Sequence, residues 1–326
     1  MAEVAGELLS VNGIELYVAV AGPDDGQPVV LCHGWPELSY SWRHQLGALS
    51  DAGYRVVAPD LRGYGRSSAP TEVAAYGADR LTGDLCGLLD HYAYESAVFS
   101  GHDWGSQVVW ELGRHHPERV SAIYNMSVPY AQGARPPTET FHHVFGDRFF
   151  YMLYFQRVGP VEAEFDADPR RFVRTVLYSA GAEGRAHPDP PVSNAPASGT
   201  KLLDTLTPAP DVLPAWLTEH DVDVYADGLS RNGLFGPVSY YRNLDANWQR
   251  SKDVPAARYT MPIGFLIGSL DPVNVMMPGA ADEMAGVLPD FRGVTVVEGA
   301  GHWVQQERPA ETNAALLSFL ASVRAG

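Results

Sequence analysis

Three glycine-flanked turns in this chain carry side chains that could do chemistry together. The first is Gly101-His102-Asp103-Trp104-Gly105. It follows the apolar run Ala97 to Ser100 and precedes a helical pattern. Glycines around a central residue permit a sharp strand-to-helix turn that pushes the middle side chain outward. Here that residue is Asp103. A carboxylate in such a turn can attack an sp³ carbon and form an alkyl-enzyme ester; its ordinary alternative is a helix N-cap. The second turn is Gly268-Ser269-Leu270-Asp271-Pro272, directly after the apolar run Ile263 to Ile267. An Asp before proline is ordinarily a turn residue. The third is Gly299-Ala300-Gly301-His302-Trp303, after the run Val294 to Val297. Taken singly, each has a plain structural reading.

Taken together they carry more. Their chain order is nucleophile Asp103, acid Asp271, base His302. That is the order of serine α/β-hydrolases, with Asp in the serine slot. No G-x-S-x-G occurs, and neither Cys32 nor Cys86 sits in such a turn. No carboxylate lies between Ser121 and Thr138, so Asp271 is the better acid. A fourth segment, Leu31-Cys32-His33-Gly34-Trp35-Pro36-Glu37, also follows an apolar run. In α/β-hydrolases a backbone N–H at this loop forms half of the oxyanion hole, and the residue after the nucleophile supplies the other half. Those donors are the backbones of Trp35 and Trp104. The Trp35-Pro36 bond is a candidate for the cis form.

These turns need a scaffold that brings them to one edge. Short apolar runs recur at Val29 to Cys32, Tyr54 to Ala58, Ala97 to Ser100, Ala122 to Tyr124, Ile263 to Ile267 and Val294 to Val297. Continuous apolar strands of this length suit a parallel sheet buried on both faces. Helical patterns alternate with them over residues 40–50, 78–92, 105–116 and 310–325. The alternation predicts a doubly wound, mostly parallel α/β sheet with its site at the C-terminal strand ends. Residues 7–20 read as a hairpin around Asn12-Gly13. The strand pattern stops near Pro129 and resumes at Met261. The expected organisation is one discontinuous core, 1–128 and 253–326, with a helical cap inserted at 129–252. The stretch Gly181 to Gly199, with Pro188, Pro190, Pro191 and Pro196, reads as an exposed surface loop.

The chain resembles the epoxide hydrolases of the α/β-hydrolase superfamily over nearly its whole length. His33-Gly34-Trp35-Pro36, Gly101-His102-Asp103-Trp104-Gly105 and Gly301-His302-Trp303 match that family's motifs. Asp60-Leu61-Arg62-Gly63-Tyr64-Gly65 resembles its D-x-R-G-x-G loop, read as structural. The resemblance implies two cap tyrosines that hold the epoxide oxygen, in segments resembling Tyr151-Met152-Leu153-Tyr154-Phe155-Gln156 and Tyr240-Tyr241-Arg242-Asn243. By motif position these are Tyr151 and Tyr241; Tyr154 and Tyr240 are expected to pack. It implies a site lined by Trp35, Trp104 and Phe155, an apolar epoxide and water as reactants, and no organic cofactor or metal. One rival is a haloalkane dehalogenase, which shares the carboxylate nucleophile but needs N–H donors for halide. The other is a non-catalytic ligand-binding relative, which would need no nucleophile, acid and base together.

Composition excludes other classes. The 326 residues include 23 Lys and Arg against 39 Asp and Glu, a net charge of −16. Such a balance argues against nucleic acid and against a polybasic membrane anchor. Two cysteines make no disulfide framework. The first thirteen residues lack a basic segment, and no apolar run of about 18 residues occurs. A cytoplasmic protein is expected. No motif reports the oligomeric state, and a homodimer stays open.

Overall fold

The computed structural model describes residues 4–186 and 195–324. The chain opens with a hairpin, β1 (Ala5–Val11) and β2 (Ile14–Ala21). Its register pairs Val11 with Ile14. Asn12 and Gly13 both take positive φ, 44° and 77°, as a two-residue turn between twisted strands requires.

The remaining strands are β3 (Gln27–Cys32), β4 (Tyr54–Pro59), β5 (Ala97–Gly101), β6 (Val120–Met126), β7 (Ile263–Gly268) and β8 (Phe291–Val297). They form one eight-stranded sheet in the order β1-β2-β4-β3-β5-β6-β7-β8. From β4 onward every pairing is parallel, while β2 runs antiparallel to both neighbours. The apolar runs of β3 to β7 are continuous because both faces are covered; the run Val294 to Val297 on edge strand β8 departs from this, with Thr295 and Val296 exposed. In β3, Val30 and Cys32 face a cluster with Phe99, Leu85, Val108 and Leu112. Val29 and Leu31 face the opposite cluster, with Leu46, Leu49, Leu316 and Leu320. Strict alternation thus sends one apolar run into two cores.

The helices between strands are α1 (Arg43–Asp51), α2 (Ala78–His91) and α3 (Trp104–His115). A helical block stands between β6 and β7: α4 (Pro137–Phe145), α5 (Tyr151–Tyr154), α6 (Pro160–Ala167), α7 (Pro169–Ala180), α8 (Ala182–Arg185), α9 (Glu219–Ser230), α10 (Phe235–Arg242) and α11 (Leu244–Ser251). Then come α12 (Val273–Met276), α13 (Ala280–Val287), α14 (Val304–Glu307) and α15 (Pro309–Arg324). Between β7 and β8, α12 and α13 carry no long apolar periodicity, and the sequence pattern does not reveal them. No helix is long and apolar enough to cross a membrane among the described residues.

The stretch from Gly181 to Gly199 is only partly the exposed loop its composition suggests. Its start forms α8, with Ala182 and Gly184 buried. Pro196 bridges to Arg148. Pro188, Pro190 and Pro191 lie outside the described residues. The Asp60-to-Gly65 loop is a structural joint. Asp60 accepts the Ser39 N–H at 2.9 Å, and Arg62 makes a buried two-point contact with Asp84 of α2, at 2.8 and 2.5 Å.

Strand register does the positioning. Cys32 stands opposite Gly101, so the loops after β3 and β5 leave the sheet side by side. Gly268 stands opposite Val297, so Asp271 and His302 emerge as neighbours.

Candidate active site

Asp103 sits between β5 and α3 with φ 51° and ψ −117°. A non-glycine residue there carries strain of about 1–3 kcal/mol, which surrounding packing must hold. The flanking glycines make that packing possible. A Cβ on Gly105 would come within 1.9 Å of the Cys32 carbonyl oxygen, and one on Gly34 within 2.4 Å of the Asp103 Cβ. Any side chain at either position would push the turn off the sheet.

Around the Asp103 carboxylate the structure gathers the groups singled out in the sequence. The Trp35 backbone N–H donates to Oδ1 at 2.8 Å. His302 Nε2 lies 3.5 Å from Oδ2. The other ring nitrogen, Nδ1, faces both Asp271 oxygens at 3.1 and 3.2 Å. Asp271 is buried and also accepts the Val273 N–H at 2.9 Å. The Trp104 N–H, the second expected oxyanion donor, opens α3 and makes no hydrogen bond among the described residues. The Trp35-Pro36 bond is cis.

Charge follows from this geometry. Burial alone would lower the His302 pKa, but Asp271 and Asp103 outweigh it and hold the imidazole well above its ordinary value. Burial alone would raise Asp103, yet His302, His102 and the Trp35 N–H keep it below the usual carboxylate range. The two shifts are consistent: an imidazolium faces a carboxylate.

Five aromatic residues cover this pair. Tyr241 touches Trp104 and Phe155, each at 4.9 Å between ring centres, and Tyr151 at 5.9 Å. Trp35 meets Phe155 at 5.2 Å and Tyr241 at 6.0 Å, and most of these contacts are edge-to-face. Neither the Tyr151 nor the Tyr241 hydroxyl donates a hydrogen bond to a described residue; the Trp104 indole N–H stands beside the Tyr241 oxygen as a donor. Burial, then the Asp103 charge, pushes both phenols above their ordinary pKa. Their sequence neighbours differ. The Tyr154 hydroxyl donates to Glu164 at 2.5 Å, and the Tyr240 hydroxyl to the Arg62 carbonyl at 2.9 Å. Phe155 departs from expectation in one respect. It has no exposed surface; it stands behind Trp35, Tyr151 and Tyr241 rather than facing open space, because α5 turns it toward α10.

Among the described residues, no group of three or more His, Cys, Asp or Glu side chains is arranged to hold a metal ion.

The family model for the α/β-hydrolase fold matches residues 27–309. Epoxide hydrolase A of Mycobacterium tuberculosis is 42% identical over 327 residues, covering 97% of this chain and 97% of the relative. The crystal structure of epoxide hydrolase A from Mycobacterium thermoresistibile superimposes with a TM-score of 0.91 at 44% identity, covering 98% of both chains. An epoxide hydrolase from an endophytic Streptomyces gives 0.90 at 36%, covering 99% of this chain and 97% of the other. The chain belongs to the epoxide hydrolases of the α/β-hydrolase fold.

Two buried polar groups of this epoxide hydrolase escape sequence reasoning. Glu37 accepts the Gly34 N–H at 2.8 Å and the amides of Gln305 and Gln306, both at 2.9 Å. Its other neighbour is His102 Nδ1, at 2.7 Å, while His102 Nε2 meets the His302 carbonyl, also at 2.7 Å. Both residues stand inside motifs quoted above. What was missing is the pairing, which joins segments far apart in sequence. Glu307, behind His302, escapes for the same reason.

Proposed function

We propose that this epoxide hydrolase opens its substrate by carboxylate attack, using a nucleophile, acid and base on the α/β core and two phenols on a cap. The core is residues 1–128 and 253–326, and the cap is 129–252. The observation that carries this reading is a carboxylate, Asp103, held by the Trp35 N–H and facing His302, beneath two phenol rings whose hydroxyls donate to no described residue.

Tyr151 and Tyr241 donate hydrogen bonds to the epoxide oxygen. Asp103 attacks a ring carbon, the C–O bond breaks, and a phenol protonates the alkoxide. General-acid help of this kind is worth about 10²–10⁴-fold. Ester formation removes the Asp103 charge. His302 then keeps only Asp271 as a charged partner, and its hold on its proton weakens. That proton restores the phenol, leaving a neutral imidazole that can take a proton from water. The resulting hydroxide attacks the Asp103 ester carbonyl. The oxyanion is held by the Trp35 N–H, already aimed at Oδ1, and by the free Trp104 N–H; losing one such donor costs about 3–4 kcal/mol. Collapse expels the diol with a proton from His302. The new Asp103 carboxylic acid passes its own proton to the imidazole, which returns the resting ion pair.

Trp35 and Trp104 with the two tyrosine rings form an apolar, aromatic enclosure. It suits an apolar epoxide, aryl-substituted ones included, and Phe155 acts as its backing. The two cysteines are both free, which fits the reducing cytoplasm where we place the enzyme. The test is a panel of styrene-type, terminal and disubstituted epoxides with the purified protein. Diol from the aryl and apolar members is expected. Halide release from chloroalkanes with no diol from any epoxide would overturn the reading.

A further inference from the structure

The loop that carries His302 is fastened to the helical block, not only to the sheet. The Glu307 side chain, 5% exposed, reaches back from α14. It accepts the N–H of Gly301 at 2.8 Å and of Trp303 at 2.9 Å, the residues on either side of His302. The oxygen that takes Gly301 also takes the Ala182 N–H of α8 at 3.0 Å. His302 itself donates its backbone N–H to the Ala180 carbonyl at 3.0 Å, and the Trp303 indole N–H donates to the Leu177 carbonyl at 2.6 Å. The two backbones lie so close that a Cβ on Gly301 would come within 2.3 Å of the Ala182 nitrogen. Among the described residues no cation pairs with this carboxylate; Arg308 donates to the Glu307 and Gly299 carbonyls instead. A buried carboxylate without a counter-cation is costly unless several N–H groups satisfy it. Here two come from the His302 loop and the third from α8.

We propose that Glu307 is a positioning residue that clasps the His302 loop to the α7–α8 junction, so that the base is aligned only while the cap is seated. The proposal rests on the mechanism above. In that mechanism the cap phenols serve ester formation and His302 serves ester hydrolysis. Loosening the clasp therefore slows the second step more than the first. A displacement of about 1 Å can cost about 10²-fold.

The test separates the two half-reactions by rapid quench and intact-protein mass, with styrene oxide as substrate. In Glu307→Gln one acceptor oxygen becomes a donor. Ester formation is expected to stay within about two-fold of wild type, ester hydrolysis to slow by about 10- to 100-fold, and the ester to accumulate. The acid limb of the kcat pH profile should also move. Ala182→Pro deletes the cap-side donor and puts a ring carbon where that N–H met the Glu307 oxygen, so it opens the clasp from the cap side. Proline is tolerated at the first position of a helix, and the preceding Gly181 is already extended, with φ −70° and ψ 167°. This variant should show the same split. Its effect should not add to that of Glu307→Gln. Equal slowing of both steps, or no slowing in either variant, would overturn the clasp. His302→Gln run in parallel distinguishes the two failures: ester there but not in Glu307→Gln sinks the clasp alone, and no ester in either sinks the mechanism.

Discussion

The two sides of the site are held in place by different forces. On the sheet side, the charged groups are fixed by hydrogen bonds. Asp103 takes the Trp35 N–H, His302 is gripped by Asp271, and Asp271 takes the Val273 N–H. On the helical side, Tyr151 and Tyr241 are fixed by ring contacts at 4.9 to 6.0 Å, and neither hydroxyl donates to a described residue. The contrast is chemical. Charged groups that must keep one orientation through two steps need directional anchors. In the proposed mechanism the phenols donate to the substrate oxygen, so their protons must be uncommitted and packing places the rings. Tyr154 and Tyr240 make the point in reverse: one residue or one helical turn away, their hydroxyls are occupied.

Substitutions that attack one side should leave the other recognisable. The largest loss is expected from Asp103→Ala, more than about 10⁴-fold in kcat/KM, with no ester by mass spectrometry. A rate near wild type would end the assignment. His302→Gln should come next, forming ester at a measurable rate but failing to release diol. On the cap side, Tyr151→Phe with Tyr241→Phe should slow ester formation by about 10²–10⁴-fold, the range of general-acid assistance. Each single change should do less, because the remaining phenol still donates. The smallest kinetic effect belongs to Tyr240→Phe. It should cost stability of about 1 kcal/mol, the usual net worth of a hydrogen bond, read from chemical unfolding, with kcat changed little. If Tyr240→Phe damaged the rate as much as Tyr241→Phe, the distinction between free and bonded phenols would be wrong.

The ion pair adds a dependence on pH. His302 holds its proton above its ordinary pKa in the folded protein. Between the ordinary and raised values the folded chain binds more protons than the unfolded one, so stability falls as pH rises through that window. Asp103, with a lowered pKa, acts oppositely: its contribution is lost as pH falls through its folded value. Unfolding midpoints of wild type and His302→Gln across pH should converge on the alkaline side and separate near neutrality.

Much of this was legible in the sequence. The parallel strands announce themselves because Val29 to Cys32 and Ile263 to Ile267 are buried on both faces and so are continuously apolar. Asp103, Asp271 and His302 stand out because glycine-flanked strand ends are local features. Glu37, His102 and Glu307 did not stand out as functional. Their significance lies in partners contributed by other segments, such as Gln305 and Gln306 for Glu37 and Ala182 for Glu307. Phe155 lies in the aromatic cluster but behind its outer rings, since aromatic spacing says nothing about which ring faces the site. Tyr151 and Tyr241 came from family resemblance; residue type alone cannot tell a free phenol from a bonded one.

In the proposed mechanism water attacks the Asp103 ester rather than the epoxide. One turnover in ¹⁸O-labelled water, with enzyme in excess over styrene oxide, tests it directly. The label is expected in the peptide containing Asp103, with the first-turnover diol unlabelled. Label in the diol, with none in that peptide, would contradict it.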